Sequence, residues 1–174
     1  MKGIIQKRNW RRILNSLKVV SNSSPLIHLA KIKKLDLLKD IFGRIFIPKA
    51  VYDECVVEDF KEANEIKKSE WIIVKKIKNE DLKKALSIYL DDGEAEAITL
   101  AIEEKADLIL LDDYDAREVA RKYGLHITGV IGILLKAKYI EKIRRVKPYL
   151  EKLKKTGFWI NDDLFLKILR EIKE

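Results

Sequence analysis

A single cysteine, Cys55, in 174 residues rules out an internal disulfide, and no CxxC or Cys/His spacing offers a zinc site. A reducing cytosol is the simplest home for such a chain, so the expected localisation is cytoplasmic. Two histidines, His28 and His126, are too few and too far apart for a histidine-based metal site. No apolar stretch reaches the roughly 18 residues that a bilayer crossing needs, and the Arg-rich start lacks the apolar core of a signal peptide. No membrane partner is expected. With 7 glycines and 3 prolines there is no Pro/Gly-rich linker, and neither repeats nor low-complexity tracts divide the chain. This length reads as one domain, with a core large enough to stand without crosslinks. Glutamine occurs once, at Gln6, beside abundant Lys, Glu and Ile, the trend of heat-adapted proteins.

What the chain has in excess is positive charge, +8 in all, and its distribution matters more than its total. Residues 1–18 carry Lys2, Lys7, Arg8, Arg11, Arg12 and Lys18 and no acid, which leaves the rest close to neutral. Residues 1–17 therefore form a basic arm, with Trp10 among its arginines. Arg8, Arg11 and Arg12 could hold phosphates there while the indole stacks a base. Equally, the segment could be a solvated tail or a helix that packs Ile4, Ile5, Ile13 and Leu14 on its own domain.

Beyond the arm, short apolar runs alternate with helical patterns, the signature of an α/β fold with a mostly parallel sheet. Strands are predicted near 18–21 (KVVS), 44–47 (RIFI), 72–75 (IIVK), 108–112 (LILLD) and 125–127 (LHI). Ser24 before Pro25 reads as the N-cap of the first helix, Pro48 opens PKAVYDECV, and Asp92 with Gly93 precedes EAEAITLAIEEK. Gly124 closes DAREVARKYG as a C-cap. Further helices are predicted near 59–69, 79–90, 129–139, 144–156 and 162–172.

In open parallel sheets ligands bind outside the carboxyl ends of the strands, so polar residues that follow apolar strand cores are the ones to inspect. The first strand runs into Asn22, the fourth into Asp112 and Asp113, and the fifth into Thr128. Asp115 lies just beyond; three acids in four residues exceed what capping the next helix requires, although one of them could serve as that cap. In DDGEAEAITLA, Glu94 falls four residues before Ile98 and faces inward, whereas Glu96 is roughly 200° from Ile98 and nearer solvent. A capping box with Asp91 is the structural alternative for Glu94. Glu54 shares a face with Ala50 and Val51. Carboxylates gathered at one edge oppose each other's ionisation unless a cation joins them, and oxygen-only donors favour Mg²⁺ or Mn²⁺. Metal-assisted phosphodiester hydrolysis is the most economical chemistry for such a cleft.

The stretches SNSSPLIHLAKI, LDLLKDIFGRIFIPKAVYDE, DDGEAEAITLA, LILLDDYDAREVA, GLHITGVIGILLKAK and GFWINDDL together resemble the PIN-domain nucleases, most closely the branch related to VapC-type toxin ribonucleases. The resemblance covers residue 18 to the end, so 18–174 is expected to be a PIN-like domain. It implies a three-layer α/β/α fold around a five-stranded parallel sheet, a Mg²⁺ or Mn²⁺ site, and cleavage of single-stranded RNA. For the toxin members it also implies an antitoxin protein, and a homodimer is expected. Carried over residue by residue, the acidic motif falls on Glu54, Glu94 and Asp112, with Asp113 and Asp115 in the outer position. Ser23 and Ser24 match the small polar residues that support the first motif position, and Thr128 with Gly129 falls where the fifth strand reaches the same edge. The first motif aspartate is replaced by Asn22, whose side-chain oxygen can coordinate a cation but brings no charge and cannot act as a base.

Two other readings stand beside the nuclease: a non-catalytic PIN-like module that binds nucleic acid or regulates, motivated by Asn22 and the basic arm, and a protein-interaction subunit. Cys55 reads as a small buried residue. Trp71, Phe158 and Trp159 read as core or dimer contacts rather than base-stacking platforms. The basic run from Lys142 to Lys147 reads as a solvated face.

Overall fold

The computed structural model describes residues 13–57 and 61–174. Arg8, Arg11 and Arg12, with Trp10, Ile4 and Ile5, lie outside the described residues. In chain order the elements are β1 (Val19–Ser21), α1 (Ser23–Lys31), α2 (Asp36–Phe42), β2 (Ile45–Pro48), α3 (Lys49–Cys55), α4 (Ala63–Lys67) and β3 (Ile72–Lys75). There follow α5 (Glu80–Leu86), α6 (Asp92–Glu103), β4 (Leu108–Leu110), α7 (Tyr114–Lys122), β5 (Ile127–Thr128), α8 (Val130–Tyr139), α9 (Lys147–Lys155) and α10 (Asp162–Glu171).

All strand pairs are parallel, in the order β3-β2-β1-β4-β5. Helices cover both faces, giving the three-layer α/β/α architecture that the resemblance implies. The chain builds outward from β1 through β2 to β3, then returns to lay β4 on the other side of β1. The junction between β1 and β4 is therefore the topological switch point, where connections diverge and leave a crevice. Register fixes what stands there. Ser21 lies opposite Leu110, and the Asn22 N–H donates to the Leu110 carbonyl at 3.1 Å, so Asn22 and the residues after Leu110 emerge together at one edge.

The sheet interior is aliphatic, with Val19, Val20, Ile45, Ile47, Ile109 and Leu110 fully buried. α6 sits against it through small residues: Gly93, Ala95, Ala97 and Ala101 are buried, and their missing bulk lets the helix lie close to the sheet and α3. Burying apolar surface of this kind contributes about 25 cal/mol per Å², the main favourable term for a chain with no crosslink. Cys55 is fully buried, as its type leads one to expect, and burial pushes its thiol pKa up to about 12. Leu14 and Leu17 pack on the core while Ile13 is exposed, so the described end of the arm is in part a packing segment.

Several local expectations need correction. Ser24 is not the cap of α1; Asn22 is, because its Oδ1 accepts from the Ser23 N–H at 2.7 Å and starts the helix two residues earlier. Pro25 is tolerated as the third helical residue, whose N–H would lack an intrahelical partner anyway. β4 stops at Leu110 because Asp112 turns to bond α8. β5 begins at Ile127, since the Leu125 N–H closes the end of α7 on the Ala120 carbonyl around Gly124, whose φ is +73°. α6 already includes Asp92 and Gly93, both expected to precede it. α9 starts at Lys147, with Pro148 in its first turn. Trp159 is not a core residue: it is 81% exposed.

Candidate active site

Five elements deliver polar side chains to the switch-point edge. From α1, consecutive serines point apart, as 100° per residue requires. The Ser23 hydroxyl turns to the Glu54 carboxylate, and Ser24 turns into a cleft on the other side. From α3, Glu54 is exposed overall, with its carboxylate resting against Gly93 in the first turn of α6. A Cβ at position 93 would collide with both carboxylate oxygens. Desolvation raises the Glu54 pKa; the Ser23 hydroxyl and the Gly93 N–H oppose that rise, and the charges of Asp91 and Asp92 add to it.

Glu94 satisfies both readings that its position in the sequence allows. It closes a capping box, its N–H donating to Asp91 Oδ1 at 2.8 Å and its own Oε2 accepting from the Asp91 N–H at 3.3 Å. It is also buried, and desolvation together with the charges of Asp91, Asp113 and Glu54 pushes its pKa up to about 7. Glu96, predicted nearer solvent, is half-buried. Its Oε2 accepts from the Ala50 N–H at 3.0 Å and caps α3, whose own N-cap residue, Pro48, has no polar side chain with which to do so.

Asp112 follows β4. Its Oδ1 accepts from the Val130 N–H at the start of α8, at 2.8 Å, whereas its Oδ2 is buried with no hydrogen-bond partner. Desolvation raises its pKa to about 6, against the pull of the Val130 N–H and Arg117. Asp113 is the N-cap of α7, accepting from the Ala116 N–H at 3.0 Å, so one aspartate of the triplet does the capping. Asp115 is exposed in the first turn of α7. Arg117, which the spacing of acids did not single out, sits one turn further on and donates to the Leu111 carbonyl at 2.9 Å. Its position four residues after a capping aspartate at a strand end is the signal that could have found it. Gly129 makes room for this group: a Cβ there would strike Asp112 Oδ1 and crowd the Leu111 carbonyl at 3.0 Å.

The expected residues thus fall into two neighbouring groups. Glu54 and Glu94 interact with Asp91, Asp92 and Asp113, and Asp112 interacts with Val130 and Arg117. Among the described residues, no three His, Cys, Asp or Glu side chains stand close enough, as placed, to hold a metal ion. Beside Asp112 opens a cleft of about 790 Å³ that Ser24 and Thr128 line as well. Among the described residues no helix is long and apolar enough to cross a membrane.

This arrangement, a five-stranded parallel sheet with acids converging on its switch point, agrees with the comparison to known proteins. No curated protein matches the chain. A family model described as a PIN domain matches residues 18–174, nearly the whole length and the same span that carries the motifs, and the chain belongs to the PIN-domain family.

Proposed function

We propose that this PIN-domain chain is a metal-dependent ribonuclease that hydrolyses phosphodiester bonds in single-stranded RNA. The observation that carries the reading is the imbalance at the switch point, where Asp112 Oδ2 is buried without a partner beside carboxylates whose charges raise one another's pKa. A buried acceptor left unpaired is costly, and a cation is the partner that would relieve it. The donors, all oxygen, suit Mg²⁺ or Mn²⁺. Asn22 Oδ1, Glu54, Glu94 and Asp112 would hold the ion, with Asp113 and Asp115 on the outer side.

When bound, such an ion supplies activation of water and stabilisation of the charge that develops on phosphodiester oxygens. The chain's own residues supply the rest. The Val130 N–H and Arg117 orient Asp112, and Ser23 orients Glu54. Desolvation and the charges of Asp91, Asp113 and Glu54 raise the Glu94 pKa to about 7, and a cation held there would draw it back down. Asn22 can ligate but cannot serve as a base.

Purified protein should cut single-stranded RNA with Mn²⁺ or Mg²⁺, and Asp112→Asn should lower the rate by about a hundredfold or more. Equal cutting by the variant, or no cutting with either metal across varied RNAs, would overturn the reading. We extend the proposal to the toxin half of a toxin and antitoxin pair, working as a homodimer. Induced expression should then arrest growth with the wild type and not with Asp112→Asn.

One observation favours a second reading, a non-catalytic nucleic-acid-binding module. Asn22 is 3% exposed, and its Oδ1 already accepts from the Ser23 N–H. If capping is the whole role of that oxygen, RNA would bind in a salt-dependent way, through the basic arm, with no metal requirement.

A further inference from the structure

We propose that the cleft beside Asp112 seats an unpaired base of the RNA strand, next to the phosphate that is cut; this rests on the ribonuclease reading for the phosphate but not for the base. Its volume of about 790 Å³ lies within the range of small-ligand sites. Apolar side chains, Ile131 and Leu135 of α8 among them, form one wall. Phe158 and His28 form another, their rings meeting edge to face with centroids 5.0 Å apart. At the mouth stand Trp159, 81% exposed, and Tyr114, 72% exposed. Rings so exposed contribute little to the fold, yet offer flat surfaces on which any base can stack.

Polarity separates a base from a purely apolar occupant. His28 Nδ1 is buried without a partner in the aromatic wall. A peptide side chain or helix of apolar character would leave it unsatisfied, at a cost that direct burial would not recover. A nucleobase presents apolar faces together with N–H groups at its edge, and the adjoining ribose adds a 2′-hydroxyl within the reach of Ser24 and Thr128 at the rim. Asp113 lines this cleft and its charge also acts on Glu94, so a base seated here would be continuous with a phosphate at the switch point.

The test is binding in EDTA, which separates it from cleavage. Full-length protein is titrated with a short single-stranded RNA carrying one 2-aminopurine, and with the same RNA abasic at that position. The wild type should quench the probe and bind the abasic strand roughly tenfold more weakly. Trp159→Ala should weaken binding of the intact strand by about the same factor, abolish the quench and no longer distinguish the two strands, while Trp159→Phe should restore most of the difference. Equal affinity for intact and abasic strands, or a Trp159→Ala variant that binds and quenches like the wild type, would overturn the proposal. So would a Trp159→Ala variant that turns a dimer into a monomer by sedimentation with unchanged RNA binding, since the cleft would then belong to self-association. Cutting that Asp112→Asn does not impair would sink the ribonuclease reading and leave a Trp159-dependent base seat standing.

Discussion

The two sides of the switch point are built from opposite materials. On one side α3 and α6 bring Glu54 and Glu94 together with Asp91 and Asp113, and desolvation and repulsion raise the carboxyl pKa values. On the other side α1, α8 and the segment before α10 bring aromatic and aliphatic side chains around a cleft. Each side also holds a glycine that vacates space for a carboxylate, Gly93 for Glu54 and Gly129 for Asp112. The tolerances differ. The Glu54 carboxylate is the far end of a long, flexible side chain, whereas Asp112 Oδ1, on a shorter one, is tied to the Val130 N–H with the Leu111 carbonyl and Arg117 close by. The acidic side is thus assembled to adapt, and the Asp112 side to stay fixed.

Adding charge at the switch-point edge should have the largest effect. Asn22→Asp keeps an N-cap residue of equal quality, so the fold should stand, while metal affinity should rise by about tenfold or more. Calorimetry with Mn²⁺ would show it, and unchanged affinity would mean that the asparagine oxygen is already an adequate ligand or that no cation sits there. A Cβ on the fixed side comes next: Gly129→Ala should cost about 1–3 kcal/mol and several degrees of melting temperature. Gly93→Ala should stay within about 1 kcal/mol of the wild type, because Glu54 can swing away and a helical glycine gives way to alanine. Similar losses for the two would erase the distinction between the sides.

The smallest effect is a slope. Asp112 and Glu94 hold protons more tightly in the folded chain, near pH 6 and 7, than unfolded carboxyls do at about 4. Their contribution to stability is complete below the unfolded values and is lost as pH rises through the folded ones. In EDTA the melting temperature should therefore drop between pH 5 and 8 more steeply in the wild type than in Glu94→Gln. Identical slopes would argue that Glu94 is not strained by its neighbours.

Much of the frame is legible in the chain because KVVS, RIFI, IIVK and LILLD are short aliphatic or β-branched runs separated by helical spacing, and a parallel sheet needs little else. Glu94 is legible from helix phase, since Ile98 and Ala101 fix which way the first turn faces. The cap at Asn22 is less so, because Ser24 before Pro25 is an equally good local signal and only the register of β1 on β4 decides between them. Trp159 misleads, because an aromatic residue in a sequence carries no mark of whether its ring turns in or out. The bond from Ala50 to Glu96 joins residues 46 apart in sequence, so no local pattern could announce it.

That bond has a consequence for motion. The Ala50 amide belongs to the first turn of a helix, where N–H groups usually face water and trade their protons within moments. Here it is clamped to α6, so the elements carrying Glu54 and Glu94 open only when Glu96 lets go. Deuterium uptake at this one amide becomes a clock for how often the two helices part, and a slowing on addition of metal or RNA would report closure of the site without any substrate being cut.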